Sequence, residues 1–331
     1  MTRHTRKLLA AAAAATCAAL AAVTGPAQAA PAAPARTDPR PPTDLATHAP
    51  LSGKQVPGLS GAALRRSIPA AVSDRFMEMN GPRHGYPGAK KTATRTRLSD
   101  TQHLFWAAAP KQTVYGASAV HSVNPSINLS AGNPDIIYAP TLDPSALTCI
   151  EMTTAYWGGG GKGVYAWDWC AAQPGWRQGI AMDANFLATY TRDSMGFPAY
   201  QVRDVQTDAA TNRWTSYLFN YNTNSWDTFY SSANTSKLSE SGGGWDAFEP
   251  YTNTNPNTGE GYYCTETRGS LWFVGGLQYQ LTSGGAWSSA TSANSTIPAP
   301  STLDPNYGGC NNPSLQFTVN TPNSTYWVSN D

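Results

Sequence analysis

The chain has 331 residues, 40% of them hydrophobic and 13% charged, with 11 Trp, 16 Tyr and five Cys. Its formal net charge of +1 conceals a split, because residues 1–100 carry a net +9 and residues 101–331 a net −8. An acidic, Lys-poor C-terminal part argues against a phosphate-backbone binder, so no nucleic-acid partner is expected.

The N-terminus reads as an export signal. Arg3, Arg6 and Lys7 give a positive start, residues 8–23 are an Ala-rich apolar run, and Ala27-Gln28-Ala29 fits a small-residue cleavage site. The run is too short and too Ala-rich for a membrane span, and no later segment reaches that length. Residues 1–29 are therefore expected to be a signal peptide and the protein to be secreted, extracellular and not membrane-bound. Beyond Cys17 the cysteines are Cys149, Cys170, Cys264 and Cys310. An even count in an exported chain implies two disulfides, and of three possible pairings Cys149–Cys170 and Cys264–Cys310 each close a local loop. No C-x-x-C occurs and no His follows His121, so neither a metal nor a cofactor is expected.

Residues 30–60, rich in Ala, Pro, Thr and Ser, should be disordered or extended. From Ala62 to Met79 a helical pattern places Leu64, Ile68, Val72 and Met77 on one inner side. Residues 81–97 return to turn-forming and basic residues, a candidate cleavage linker. Residues 30–100 thus read as a basic, partly disordered prosegment, or leader, and 101–331 as the folded domain.

In that domain Gly, Asn, Ser and Thr clusters alternate with short runs rich in Val, Ile, Tyr, Phe, Trp and Thr. Expected strands are 114–123, 136–140, 149–157, 164–170, 180–190, 199–207, 214–221, 226–230, 245–251, 261–267 and 271–281. Many short strands at this spacing imply an all-β, antiparallel sandwich of the jelly-roll or concanavalin-like kind. Gly158–Gly161 lacks a following Lys-Ser/Thr and reads as a hairpin turn, not a phosphate loop. Alternation puts Tyr165, Trp167 and Trp169 on one face of their strand. Such rings either fill the core between two sheets, the commoner outcome for a single aromatic strand, or line a cleft for a polymer.

Elimination narrows the chemistry. Only His103 and His121 could serve a Ser-His-Asp or Cys-His site, and no G-x-S-x-G is present. Carboxylates remain. Glu240 and Glu260 fall in turn-rich stretches, and Glu266 sits two residues before Arg268. Glu151 and Glu249 lie in mid-strand, Glu249 sharing a face with Trp245 and Tyr251. Such groups suit general acid–base work on a peptide or glycosidic bond.

At these residues the order of motifs resembles the neprosin-type and eqolisin-type glutamic peptidases. Tyr115-Gly-Ala-Ser-Ala-Val-His-Ser-Val-Asn-Pro125 is similar to the opening strand of neprosin domains. Ile150-Glu151-Met-Thr-Thr resembles the strand that carries the first catalytic residue. Tyr165-Ala-Trp-Asp-Trp169 and Gly179-Ile-Ala-Met-Asp183 resemble two eqolisin strands. Trp245-Asp-Ala-Phe-Glu249 stands where the family's second catalytic Glu follows a Trp. The likeness spans roughly 115–281. The neprosin Gly-Gly-Glu is absent, the acid comes four residues after Trp245, and Asp246 competes for its role.

The resemblance implies a secreted, acid-acting endopeptidase that hydrolyses polypeptides with Glu151 and Glu249 and needs no cofactor. It also implies a removable prosegment, expected here to act as an inhibitor held by charge contacts until acid weakens them. Trp167, Trp169, Trp245 and Tyr165 would line the substrate cleft of a monomer. The rival is a secreted carbohydrate-active or carbohydrate-binding sandwich. Its usual Glu-x-Asp-x-x-Glu spacing is missing.

Overall fold

The computed structural model describes residues 45–81, 101–103, 105–232 and 243–296, and the backbone of three further strands up to Asn330. The signal segment, Cys17, Cys310 and the 82–97 linker lie outside the described residues.

In chain order the elements begin with β1 (Leu51–Gln55), β2 (Leu59–Ser60), α1 (Gly61–Ser67), α2 (Ala70–Asn80), β3 (Thr101–His103), β4 (Trp106–Pro110) and β5 (Gly116–Ser122). They continue with β6 (Ile136–Ser145), β7 (Ile150–Trp157), β8 (Gly161–Asp168), β9 (Gly175–Ala181), α3 (Ala184–Tyr190), β10 (Thr191–Ser194) and β11 (Phe197–Asp208). Then come β12 (Arg213–Asn220), β13 (Ser225–Ser231), β14 (Gly243–Asn253), α4 (Tyr263–Glu266) and β15 (Ser270–Gln280). The last are β16 (Trp287–Ser289), β17 (Ser295–Thr296), β18 (Ser301–Thr302), β19 (Gln316–Asn320) and β20 (Thr325–Asn330).

These strands form two sheets. The back sheet runs β1-β13-β12-β11-β5-β15-β20-β19-β18, and the front sheet runs β17-β4-β14-β6-β7-β8-β9-β2 with β3 beside β14. Among the described pairings only β1 with β13 is parallel. The protein is therefore an all-β sandwich. Its core comes from strict alternation. Ile150, Met152 and Tyr156 of β7, Val164 and Ala166 of β8 and Phe248 of β14 meet Ala119, Tyr200, Val202, Trp214 and Leu218 of the back sheet. The tight β7–β8 hairpin is closed by the expected glycine turn, with Gly159 and Gly160 at φ +85° and +76° and both amides donating to the Leu129 carbonyl.

Two expected strands are helical. Residues 184–190 form α3 because the Asp183 side chain caps it, accepting from the Phe186 amide at 2.9 Å, and Phe186 and Tyr190, four apart, share the buried side. Residues 263–266 form the single turn α4, tied down where the Asp135 carboxylate accepts from the Tyr263 amide at 2.6 Å. Cys149 and Cys170 are joined, with Cα atoms 5.0 Å apart, and Cys264 is also disulfide-bonded.

β6 positions the site. Between Tyr138 and Thr141 it advances three residues while β7 (Ala155 to Thr153) and β14 (Glu249 to Ala247) each advance two. The extra residue, at Ala139-Pro140, is a bulge in a central strand, where a proline is otherwise excluded because it cannot donate to the ladder. The bulge turns both Tyr138 and Thr141 to the outer side of the front sheet.

Residues 51–80 build onto this frame. β1 and β2 extend one edge of each sheet. α1 and α2 lie on the outer side of the front sheet and bury Leu64, Ile68, Val72 and Phe76 there. Met77, an expected inner residue, is only half-buried, and Phe76 takes the inner position.

Candidate functional site: a carboxylate-bearing face under the leader helix

The outer side of the front sheet carries one aromatic cluster: Ile136, Tyr138, Trp157, Tyr165, Trp167, Trp169, Trp176 and Tyr251, with the four inward residues of α1 and α2. The rings of strand 165–169 thus do not fill the core between the sheets. They stand on the opposite side, where the leader covers them.

Glu151 and Glu249 stand on this same side. Glu151 follows from β7 alternation, because Ile150 and Met152 point into the sandwich core. Its Oε1 accepts from the Thr141 hydroxyl at 2.7 Å and its Oε2 from the Trp169 indole N–H at 3.1 Å. Thr141 can donate only because the bulge re-aims it. Glu249 is placed by β14, where Phe248 points into the core; its Oε2 accepts from the Tyr251 hydroxyl at 2.9 Å.

The register sets the spacing. Glu249 pairs with Tyr138 across β14–β6, and Thr141 pairs with Ala247 on one side and Thr153 on the other. Glu249 and Glu151 are therefore two strands apart, about 10 Å across the sheet, and offset by four residues, about 13 Å, along the strands. Ala247, Thr141 and Thr153 form a floor of small side chains between them. One step past the Leu142–Met152 pair, the register sets Asp143 opposite Glu151, while on its other side Asp143 pairs with Trp245.

Tyr138 links the two acids. It is fully buried, and burial drives its phenol pKa well above 10. The charges of Glu249 and Glu151 add to that rise, while Arg75 of α2 opposes it. The Tyr138 hydroxyl is thus a neutral donor, and it donates to the backbone carbonyl of Val72 in α2 at 2.9 Å. Both glutamates are completely buried in this arrangement.

Other expected residues fall elsewhere. Trp245 packs with Ala107 and Ala247 in a separate cluster. Asp246 points into the sandwich, where its Oδ2 lies 3.1 Å from His121 Nε2, and His121 Nδ1 lies 3.2 Å from the Tyr200 hydroxyl. His121 is fully buried in that network, away from the glutamate-bearing side. Glu266 accepts from the Ser130 amide and the Asn133 side chain. Tyr138, Thr141, Asp143, Trp176 and Phe76 were not singled out by their sequence context. For Phe76 a signal existed, since it continues the four-residue spacing of Leu64, Ile68 and Val72. Among the described residues no helix is long and apolar enough to cross a membrane, and no group of three His, Cys, Asp or Glu could hold a metal ion.

No family profile matches the sequence, and no curated protein matches it significantly. Among solved structures, the chain is similar to scytalido-glutamic peptidase bound to a peptide-based transition-state analogue, at 12% identity and a TM-score of 0.40. It is also similar to SCP-B, a member of the eqolisin family of peptidases, in complex with the tripeptide Ala-Ile-His, at 13% identity and a TM-score of 0.40. Each alignment covers 69% of this chain and 98% of the other.

Proposed function

We propose that this protein is the precursor of a secreted, acid-acting glutamic endopeptidase whose leader helix covers its own site. The observation that carries the reading is the placement of Glu151 and Glu249 on one side of the front sheet, both near enough for their charges to act on Tyr138, whose hydroxyl is bonded to α2. In the proposed reaction Glu151 is the general base. Thr141 and Trp169 each donate to it, which fixes its orientation and suits an acceptor-only carboxylate.

A water held over the floor of Ala247, Thr141 and Thr153 gives a proton to Glu151 as its oxygen attacks the scissile carbonyl carbon. The carbonyl π pair moves onto oxygen. When the pair returns, the C–N bond breaks and protonated Glu249 gives its proton to the departing nitrogen. The Glu151 proton then passes back through solvent to Glu249. Acidic pH favours the singly protonated pair this requires.

The leader supports the zymogen reading by what it touches. Its Val72 carbonyl takes the hydrogen bond of Tyr138, and Phe76 lies against Trp169, the donor to Glu151. At the site these contacts are aromatic packing and one neutral hydrogen bond, with the Arg75 charge also reaching Tyr138. Fully burying Phe76 alone contributes about 2–3 kcal/mol. The test is casein digestion by the full chain at acidic pH, with pepstatin and a chelator present and the N-terminus followed by mass spectrometry. Digestion that begins as the leader is lost supports the reading. Polysaccharide hydrolysis without proteolysis would replace it with the carbohydrate-active rival.

A further inference from the structure

The leader marks a pocket as well as a cover. The Phe76 ring is completely buried. Its centroid lies 4.6 Å from Trp176, 4.7 Å from Trp167, 4.9 Å from Tyr138 and 5.9 Å from Trp169. Four rings from three strands and a loop therefore form a box around one side chain that belongs to the segment expected to be removed. Offset and edge-on ring packing of this kind adds to simple burial and selects for another ring.

Two features of the box point to a ligand other than the helix. The indole N–H groups of Trp167 and Trp176 have no hydrogen-bond partner, although the two residues are only 2% and 5% exposed. A buried donor left unmade is costly, and neither indole finds an acceptor on the helix that covers it. An extended peptide presents free carbonyls at every residue. The box also opens directly onto a groove of about 650 Å³ between the leader and β8–β9, lined in part by Trp167, Trp176, Gln173 and Arg177.

We propose that the box of Tyr138, Trp167, Trp169 and Trp176 is the substrate's side-chain pocket. It would take an aromatic or long apolar side chain of an extended polypeptide, whose backbone carbonyls accept from the Trp167 and Trp176 indoles. Phe76 is its intramolecular occupant. The assignment rests on the peptidase reading of Glu151 and Glu249 for its link to chemistry, but the pocket itself can be tested without catalysis.

The experiment uses the full chain carrying Phe76→Ala, with Phe76→Leu as a milder companion should the first fold poorly. Wild type and variants are titrated with N-acetyl-phenylalaninamide and N-acetyl-alaninamide, read by tryptophan fluorescence and by thermal shift. The expected result is saturable binding of the phenylalanine amide to the opened variant, at least about tenfold tighter than the alanine amide, and no such binding by wild type. Equal response to both amides, or no response from either variant, overturns the pocket.

In parallel, casein cleavage sites of the Phe76→Ala chain are mapped at acidic pH. Enrichment of Phe, Tyr, Trp, Leu or Met at one fixed distance from the cut supports the proposal, and cuts indifferent to side chain overturn it. Selective amide binding with no cleavage at all supports the pocket while removing the peptidase reading.

Discussion

Raising the pH should loosen this fold, because burial raises the pKa of two interior carboxyl groups above their unfolded values. Asp204 on β11 is fully buried, neither of its oxygens has a hydrogen-bond partner, and burial, reinforced by the charge of Asp143, pushes its pKa well above the usual carboxylate range. Asp135 is raised to about 6, chiefly by burial and against the hydrogen bonds from Asn253, Thr252 and Tyr263. A group whose folded-state pKa exceeds its unfolded value contributes stability present in full below the unfolded pKa. That contribution is lost as pH rises through the folded pKa.

For Asp135 the window runs from 3.8 to about 6. At 1.36 kcal/mol per pKa unit the loss across it is about 3 kcal/mol. Asp204 continues the loss above that window. The assay is urea unfolding followed by tryptophan fluorescence at roughly pH 3.5, 5 and 7. Whatever Asp204→Asn costs in packing it costs at every pH, so the difference between pH values isolates the charge. The variant should recover at least about 1.4 kcal/mol at neutral pH relative to its effect in acid. A flat wild-type profile, or a variant equally destabilised at both ends, would refute the reasoning.

Three further outcomes are expected. Thr141→Val removes one of the two described donors to Glu151. Hydrolysis should fall through kcat rather than KM, by about 10- to 100-fold for a hydrogen bond to a charged group; an unchanged kcat would detach Thr141 from the chemistry. Asp246→Asn weakens the buried hydrogen bond with His121, so it should cost about 1–3 kcal/mol of stability yet keep the pH–rate profile. Loss of activity with stability intact would instead make Asp246 the second acid. Reducing the Cys149–Cys170 bond, which spans 21 residues, should lower stability by about 3 kcal/mol, measured as a falling Tm with added thiol.

The sandwich was legible because its strands are short β-branched and aromatic runs between turn residues, and alternation correctly set Glu249 with Trp245 and Tyr251 on one side. What alternation could not show was the bulge at Ala139-Pro140. The expected strand ended at Pro140, so Thr141, the donor to Glu151, stayed out of view. The 165–169 rings raised the opposite difficulty. Their phase was readable, but which side faces the second sheet depends on partners far away in the chain. α3 was missed because its single helical spacing, Phe186 to Tyr190, is too short to compete with a β-rich composition once the Asp183 cap is overlooked. In the leader the helical phase was readable through Leu64, Ile68 and Val72. The next step of four falls on Phe76, whereas Met77 was the expected inner residue. The local disulfide Cys149–Cys170 followed from loop economy alone.

The central claim is that Glu151 and Glu249 act together on a peptide bond. The most direct measurement is the rate of casein hydrolysis from acidic to neutral pH by the full-length wild type, Glu151→Gln and Glu249→Gln, each with its Tm recorded. The account predicts proteolysis confined to acid in wild type and lost by at least ~100-fold in both variants, with Tm close to the parent's. Two folded variants that digest casein as fast as wild type would contradict it.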